Sequence, residues 1–214
     1  MLEDIQDRIK ELKPFYVRSA VKNIFSWKDL ENLLNLRPFI LKNRFVFFTD
    51  ERYEWPNQHW LSELNSFPPS VIDKIIKKYP CHITDASRVN EQINSICSQL
   101  DNISGLPTDA HIYFDLRDDF GKAFGIHYDY AHNLIAQIEG SSRVKIWNIK
   151  GEEKNVNHLN VEPIIDIIME PGDLIYAPAY YYHEIESLTK RLSISFPMWA
   201  AGGVTQEREW IRIP

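Results

Sequence analysis

From His111 to Trp199 the chain is a succession of short, largely apolar runs: HIYFDL, KAFGIHYD, NLIAQIEG, RVKIWNI, PIIDIIME, DLIYAP, YYYHEIES and RLSISFPMW. Turns containing Gly, Asn or Pro separate them. Eight strand-length segments punctuated in this way predict a barrel or a double-sheet jelly roll. Residues 1–100 have a different texture. Leu2, Ile5, Ile9 and Leu12 recur at helical spacing over residues 2–13, before Pro14. FYVRSAV reads as a strand. Ser26 reads as an N-cap with Asp29 as its partner, and Trp27, Leu30, Leu33 and Leu34 form the apolar face of the helix that follows. Phe39 to Thr49 is strand-like. Residues 50–70 read as a loop that Trp55, Trp60 and Phe67 pin to the core, with substrate contact as the alternative. A helix is expected over 70–80, stopped by Pro80. Another is expected over 87–100, with Val89, Ile93, Ile96, Cys97 and Leu100 on one side and DNISGLP closing it. The tail after Gly203 reads as a final strand or extended arm. With no internal repeat, low-complexity tract or long linker, the expectation is one domain over 1–214, mainly β with flanking helices. A helical buttress would occupy about 1–105 and the barrel about 108–214.

Composition narrows the class. The chain has 214 residues, enough for one full core. A formal net charge of −6 gives no support for a nucleic-acid surface. No window approaches eighteen uninterrupted apolar residues, so no membrane span is expected. The charged N-terminus lacks the apolar stretch of a signal peptide. Cys81 and Cys97 make no disulfide framework. Together these features predict a soluble cytoplasmic or other intracellular protein. They leave its oligomeric state open.

The chemistry-bearing residues cluster at the two ends of the β-rich stretch. His127 and Asp129 lie two residues apart, and on a strand such residues share a face. A later strand returns His183. Two imidazoles and one carboxylate on one side of an octahedral ion leave positions open, the arrangement of non-haem Fe(II) oxygenases. The alternative is structural, since a single His or Asp is more often a surface group or a hydrogen-bonded core group. Spacing alone leaves both readings standing.

HYDYAHNLIAQIEGSSRVKIW and PGDLIYAPAYYYHEIES resemble the two metal-binding segments of the JmjC/cupin-like Fe(II)- and 2-oxoglutarate-dependent hydroxylases, in their asparaginyl-hydroxylase and ribosomal-oxygenase branches. KPFYVRSAV and FSWKDLENLLN resemble the family's N-terminal preamble, so the resemblance spans roughly residues 14–199. It implies a double-stranded β-helix. It also implies an Fe(II) ion on His127, Asp129 and His183, with 2-oxoglutarate and O2 as cosubstrates and Tyr113 and Asn133 hydrogen-bonding the 2-oxoglutarate. The implied reaction is hydroxylation of an amino-acid side chain in a peptide, a protein or a free amino acid. The alternatives are a small-molecule biosynthetic iron oxygenase and a non-catalytic metal-binding cupin module. The further C-terminal domain of the large ribosomal oxygenases is not expected, which keeps the small-molecule reading alive. Nothing beside the barrel resembles a chromatin-reading module, which disfavours histone demethylation.

The sequence departs from the family at one position. Where the family carries a cation for the distal carboxylate of 2-oxoglutarate, this chain has Ser142. Arg191 is the first candidate to replace it. Lys145 is second and needs a bulge or register shift to reach the interior; Arg143 is third. Pro197 stands in place of an Asn of the asparaginyl-hydroxylase branch. Gln137 reads as an orienting group near the metal or as an ordinary strand hydrogen bond. Tyr180, Tyr181 and Tyr182 divide between core and cleft. His132 faces substrate or solvent. DLRDDF, residues 115–120, reads as a solvated face or as a lip over the cleft, where Asp115 or Arg117 would select a polar substrate.

Overall fold

The computed structural model describes residues 2, 4–35, 44–48, 53–54, 69–121, 125–151 and 161–199. In chain order the elements are α1 (Gln6–Lys10), β1 (Phe15–Val17), α2 (Trp27–Asn35), β2 (Phe45–Phe48), β3 (Tyr53–Glu54), α3 (Pro69–Ile76), β4 (Cys81–Ile83) and α4 (Glu91–Ser104). Then come β5 (His111–Asp115), β6 (His132–Glu139), β7 (Ser142–Lys150), β8 (Ile165–Met169), β9 (Leu174–Ala177), β10 (Tyr181–Ser187) and β11 (Arg191–Met198). Two antiparallel sheets result. One runs β1-β9-β6-β11-β5-β4-β2-β3 and the other β10-β7-β8. The two-sheet jelly roll expected from the β-rich stretch is present, with helices against the larger sheet.

Strand alternation divides the interior into two cores. Leu192, Ile194, Phe196 and Met198 of β11 join Leu134, Ala136, Ile112 and Phe114 beneath the helices, with Ile93, Leu100 and Ile5. Ile135, Val144, Ile146, Ile175 and Ala177 fill the space between the sheets. Every residue of β11 is buried. Its even-numbered side chains serve the helical layer. Its odd-numbered ones, Arg191, Ser193 and Ser195, fall on the opposite face, toward the smaller sheet.

Several expectations change. The first helix is only five residues long, because Leu12 adopts a left-handed backbone (φ 54°) and is 50% exposed. Ser26 does cap α2, its hydroxyl 3.3 Å from the Asp29 amide and 2.7 Å from the Asp29 carboxylate. The longest helix starts at an Asn90 cap instead of near Ser87, with Asn90 Oδ1 accepting from Ile93 N at 2.8 Å. It continues through DNIS to Gly105, whose φ of 69° ends it. The strands expected at FYVRSAV and within Phe39 to Thr49 are present as β1 and β2, and with β3 and β4 they extend the large sheet. β4 was hidden because three residues after Pro80 show no alternation to read. In KAFGIHYD, residues 122–124 lie outside the described residues, and Gly125 to Asp129 form no full strand. Gly125 turns left-handed (φ 71°), and only an isolated bridge between His127 and His183 follows. The expectations for Trp55, Trp60, Phe67, residues 39–43 and the tail after Gly203 lie outside the described residues. Among the described residues no helix is long and apolar enough to cross a membrane.

Candidate metal centre

The bridge that replaces a strand does the positioning. His127 N donates to His183 O at 3.0 Å, and His183 N donates to His127 O at 2.7 Å. This reciprocal pair is the hydrogen-bonded site of an antiparallel ladder, whose two side chains leave on the same face. The imidazole centroids are 4.3 Å apart. Asp129 follows on the same face, its carbonyl accepting from Tyr180 N at 2.8 Å. Tyr180 is held at φ 69°, a left-handed conformation rare for an aromatic residue, so strain is stored beside the site. His127, Asp129 and His183 each offer one ligand atom, and these atoms lie within 4.8 Å of one another.

The donor chemistry fits a metal. Nδ1 of His127 lies 3.0 Å from the Gly125 carbonyl, and Nδ1 of His183 lies 3.0 Å from the Tyr181 carbonyl. Carbonyls only accept, so each Nδ1 carries a proton and each Nε2 presents its lone pair when the ring is neutral. This is how metal-ligating histidines are normally oriented. His183 Nε2 is 3.5 Å from Asp129 Oδ2. Burial, then the neighbouring His183, pushes the His127 imidazole down to about 4. For Asp129 burial acts upward, but the hydrogen bond and charge of His183 outweigh it and hold the carboxyl at about 2. For His183 burial acts downward, and the Asp129 carboxylate more than compensates, so that imidazole titrates above its ordinary value. A cation entering here meets a carboxylate and two imidazoles, and at His183 it competes with the proton that Asp129 favours.

The remaining expected site residues fall into two sets. Tyr113, Asn133 and Arg191 share the interior face with the metal triad. Tyr113 is opposite Ser193 and His82, and Arg191 is opposite Asp115. Asn133 Nδ2 donates to Asp129 Oδ2 at 2.6 Å. Ser142 is also interior, but its hydroxyl donates to Gln137 Oε1 at 2.9 Å, and Gln137 Nε2 donates to the Glu139 and Gly140 carbonyls. Gln137 therefore holds the β6–β7 turn. Arg143 and Lys145 alternate to the outer face of β7. Arg143 forms a bidentate pair with Asp166 there, and Lys145 sits opposite Glu184 and Asp166. The bulge that would re-aim Lys145 is not at that position, since the register between β10 and β7 slips only between Tyr181 and His183. His132 accepts from Ala179 N at 3.1 Å and stacks on Tyr176, so it is part of the packing. Tyr181 is buried in the inter-sheet core, while Tyr182 and Tyr180 pack around Tyr128.

The far end of the interior holds a second charged cluster. Asp115 is fully buried and bound in a two-pronged fashion by Arg117, Nε to Oδ1 at 3.0 Å and Nη2 to Oδ2 at 2.8 Å. Burial pushes the Asp115 carboxyl up, and Arg117, with the Ser187 hydroxyl, brings it below its ordinary value. Arg191 is 4% exposed, and its Nε has no hydrogen-bond partner among the described residues. Burial lowers its pKa despite the nearby Asp115 and Tyr113. Sequence reasoning missed this pairing, and it missed Ser195, whose hydroxyl donates to Asn133 Oδ1 at 2.9 Å. The signal for Ser195 was present: polar Arg191, Ser193 and Ser195 alternate with Leu192, Ile194 and Phe196.

A family model for the JmjC domain matches residues 82–203. The chain belongs to the JmjC-domain family. This JmjC chain is 25% identical over 188 residues to the bifunctional lysine-specific demethylase and histidyl-hydroxylase NO66 of Drosophila persimilis, covering 81% of this chain and 26% of that protein. Ribosomal oxygenase 1 of Danio rerio is 24% identical over 102 residues, covering 44% of this chain and 18% of that one. Among solved structures, the Escherichia coli ribosomal oxygenase YcfD superposes with a TM-score of 0.61 at 19% identity, covering 94% of this chain and 52% of that chain. YcfD in complex with cobalt and 2-oxoglutarate gives 0.58 at 19% identity, with 93% and 51% covered. The likeness establishes the JmjC fold. The chain spans about a quarter of the length of NO66 and about half that of YcfD.

Proposed function

We propose that this JmjC domain is an Fe(II)- and 2-oxoglutarate-dependent oxygenase that hydroxylates an amino-acid side chain of a protein or peptide. The observation that carries the reading is the triad, with both Nδ1 atoms anchored to backbone carbonyls and all three ligand atoms gathered within 4.8 Å. A bound Fe(II) ion with 2-oxoglutarate supplies the oxidation of a substrate C–H bond by O2. His127, Asp129 and His183 would hold the ion. The relatives named as histidyl-hydroxylase and ribosomal oxygenase support a protein side chain as substrate.

Arg191 is the proposed partner of the distal carboxylate of 2-oxoglutarate. Arg191 lies four residues from Ser195 on β11, roughly 13 Å of strand at about 3.3 Å per residue. Ser142 lies the same distance along β7 from Ile146, the residue opposite His183. The two positions therefore occupy one layer of the barrel, on facing sheets. A cation lost at Ser142 is supplied from across the interior by Arg191. Asp115 lies near it but is already held by Arg117, so two arginines share one carboxylate. A buried cation with only a shared counter-charge is unfavourable, and a carboxylate arriving beside it relieves that penalty with bidentate geometry. Tyr113, between this layer and the metal, is the proposed hydroxyl contact.

The test is turnover of 2-oxoglutarate to succinate by the iron-loaded protein with peptides from a cell extract, followed by mass spectrometry. A peptide gaining 16 mass units supports the proposal. Oxygen retained on a metabolite instead would redirect it to small-molecule hydroxylation, and formaldehyde release to demethylation. No succinate under any of these conditions would overturn it.

A further inference from the structure

Two buried side chains, Asn133 and Ser195, stand behind the exposed edge of the metal triad. Asp129 is far more open than His183, with a side chain 41% exposed against 4%. A carboxylate in that position rotates freely unless something holds it. Asn133, 6% exposed on β6, donates from Nδ2 to Asp129 Oδ2 at 2.6 Å. Ser195, 5% exposed on β11, donates to Asn133 Oδ1 at 2.9 Å. The chemistry fixes the direction of this chain. A carboxylate only accepts, so the amide must turn its nitrogen toward Asp129 and its oxygen toward Ser195, whose hydroxyl then donates. The serine thus sets the amide, and the amide sets the carboxylate.

We infer that Ser195 and Asn133 are positioning residues that hold the Asp129 carboxylate with Oδ2 beside His183 Nε2, in place to share a metal ion with it. The inference rests on the metal reading given above. Two histidines and a carboxylate bound through one oxygen occupy three of six positions on an octahedral ion, leaving three for the cosubstrates. A carboxylate chelating through both oxygens closes a fourth. Asn133 holds Oδ2, the oxygen 3.5 Å from His183 Nε2, and so resists the rotation that would turn both oxygens to the ion. The amide oxygen and one amide hydrogen of Asn133 are thereby engaged with the protein, so its first duty is to the ligand and any contact with 2-oxoglutarate is made by the second hydrogen.

Cobalt(II) is the probe, with its affinity measured by competition against a chelator and its geometry read from the visible absorption of the bound ion. Groups that orient ligands are typically worth about 10- to 100-fold in metal affinity. Asn133→Ala is expected to weaken Co(II) binding by about that factor and to change the visible spectrum. Ser195→Ala should shift both in the same direction by less, and Ser195→Thr, which keeps the hydroxyl, should restore them. Thermal melting of the metal-free proteins identifies any variant that fails to fold, and Ser195→Ala carries the test if Asn133→Ala does. Folded Asn133→Ala and Ser195→Ala proteins with wild-type affinity and spectrum would overturn the relay while leaving the metal site intact. A wild-type protein that binds no Co(II) would sink the metal reading and the relay with it.

Discussion

The two ends of the barrel interior solve opposite problems. Around His127, Asp129 and His183 the protein orients its ligand atoms inward and fixes their direction, tying each Nδ1 to a carbonyl and holding the Asp129 carboxylate through Asn133. Around Asp115 the donors outnumber the acceptors, because Arg117 takes the carboxylate and Arg191 is left with an unmatched Nε. One end is short of a cation and the other short of an anion. The difference teaches that the interior holds two half-sites of opposite need, a set of ligand atoms at one end and a surplus of cationic donors at the other.

The sharpest break in that comparison is at the metal end. Asp129→Ala is expected to lose Fe(II) and Co(II) affinity by more than about 100-fold, since even groups that merely orient ligands reach that order. Anaerobic titration reads it directly, and stoichiometric binding equal to wild type would remove Asp129 from the site.

The next effect belongs to the other end. Arg191→Met is expected to raise the KM for 2-oxoglutarate by about ten- to a hundredfold, the worth of hydrogen bonds to a charged group. Metal affinity should stay unchanged. The metal-free protein should melt no lower than wild type, because an unmatched buried cation has been replaced by an apolar chain. Adding Ser142→Lys to Arg191→Met moves the cation back across the layer and should recover part of the KM. An Arg191→Met protein with an unaltered KM would assign the anion elsewhere.

A smaller effect lies near the metal end. For Asp109 burial acts upward, but the hydrogen bond and charge of His111 and the Ala110 amide together outweigh it and hold the carboxyl at about 2 against an ordinary 3.8. Its folded value is depressed, so the unfolded chain binds the proton more readily. The stabilisation is complete above about pH 4 and is lost as the pH falls toward 2. By linkage it is at most about 2 kcal/mol. Asp109→Asn should flatten the acid limb of stability against pH in that window, measured by urea unfolding. The smallest effect is a control outside the barrel. Arg143→Gln breaks the exposed pair with Asp166 and should leave metal affinity, the KM for 2-oxoglutarate and the melting temperature within error.

The types of residue at the metal end were legible in the sequence because their spacing survives in any local geometry. His127 and Asp129 were read on a strand, yet they sit on a bridge that follows a left-handed Gly125. The reciprocal amide bonds with His183 supply the common face that a full strand would have given. The far end was legible only as a choice among cations. Strand period disfavoured both Lys145 and Arg143 without excluding either, and nothing in the order of residues says that Arg117 captures Asp115, or that Gln137 captures the Ser142 hydroxyl. Which partner is satisfied depends on what three separate strands bring together. β4 was missed for a related reason, since three residues are too few to display a period and gain their place from β5 and β2.

β11 carries one further implication. Its even positions hold the helical layer and its odd positions hold Arg191, Ser193 and Ser195, with every residue buried. Inserting or deleting one residue here would rotate the remainder of the strand by half a period. Serines would enter the oily layer, and isoleucine or phenylalanine would enter the site. The heritable changes open to this strand are therefore exchanges in place, never shifts in length. Two lineages of substitution can proceed side by side along it, one judged by whether the protein stands and the other by what it transforms.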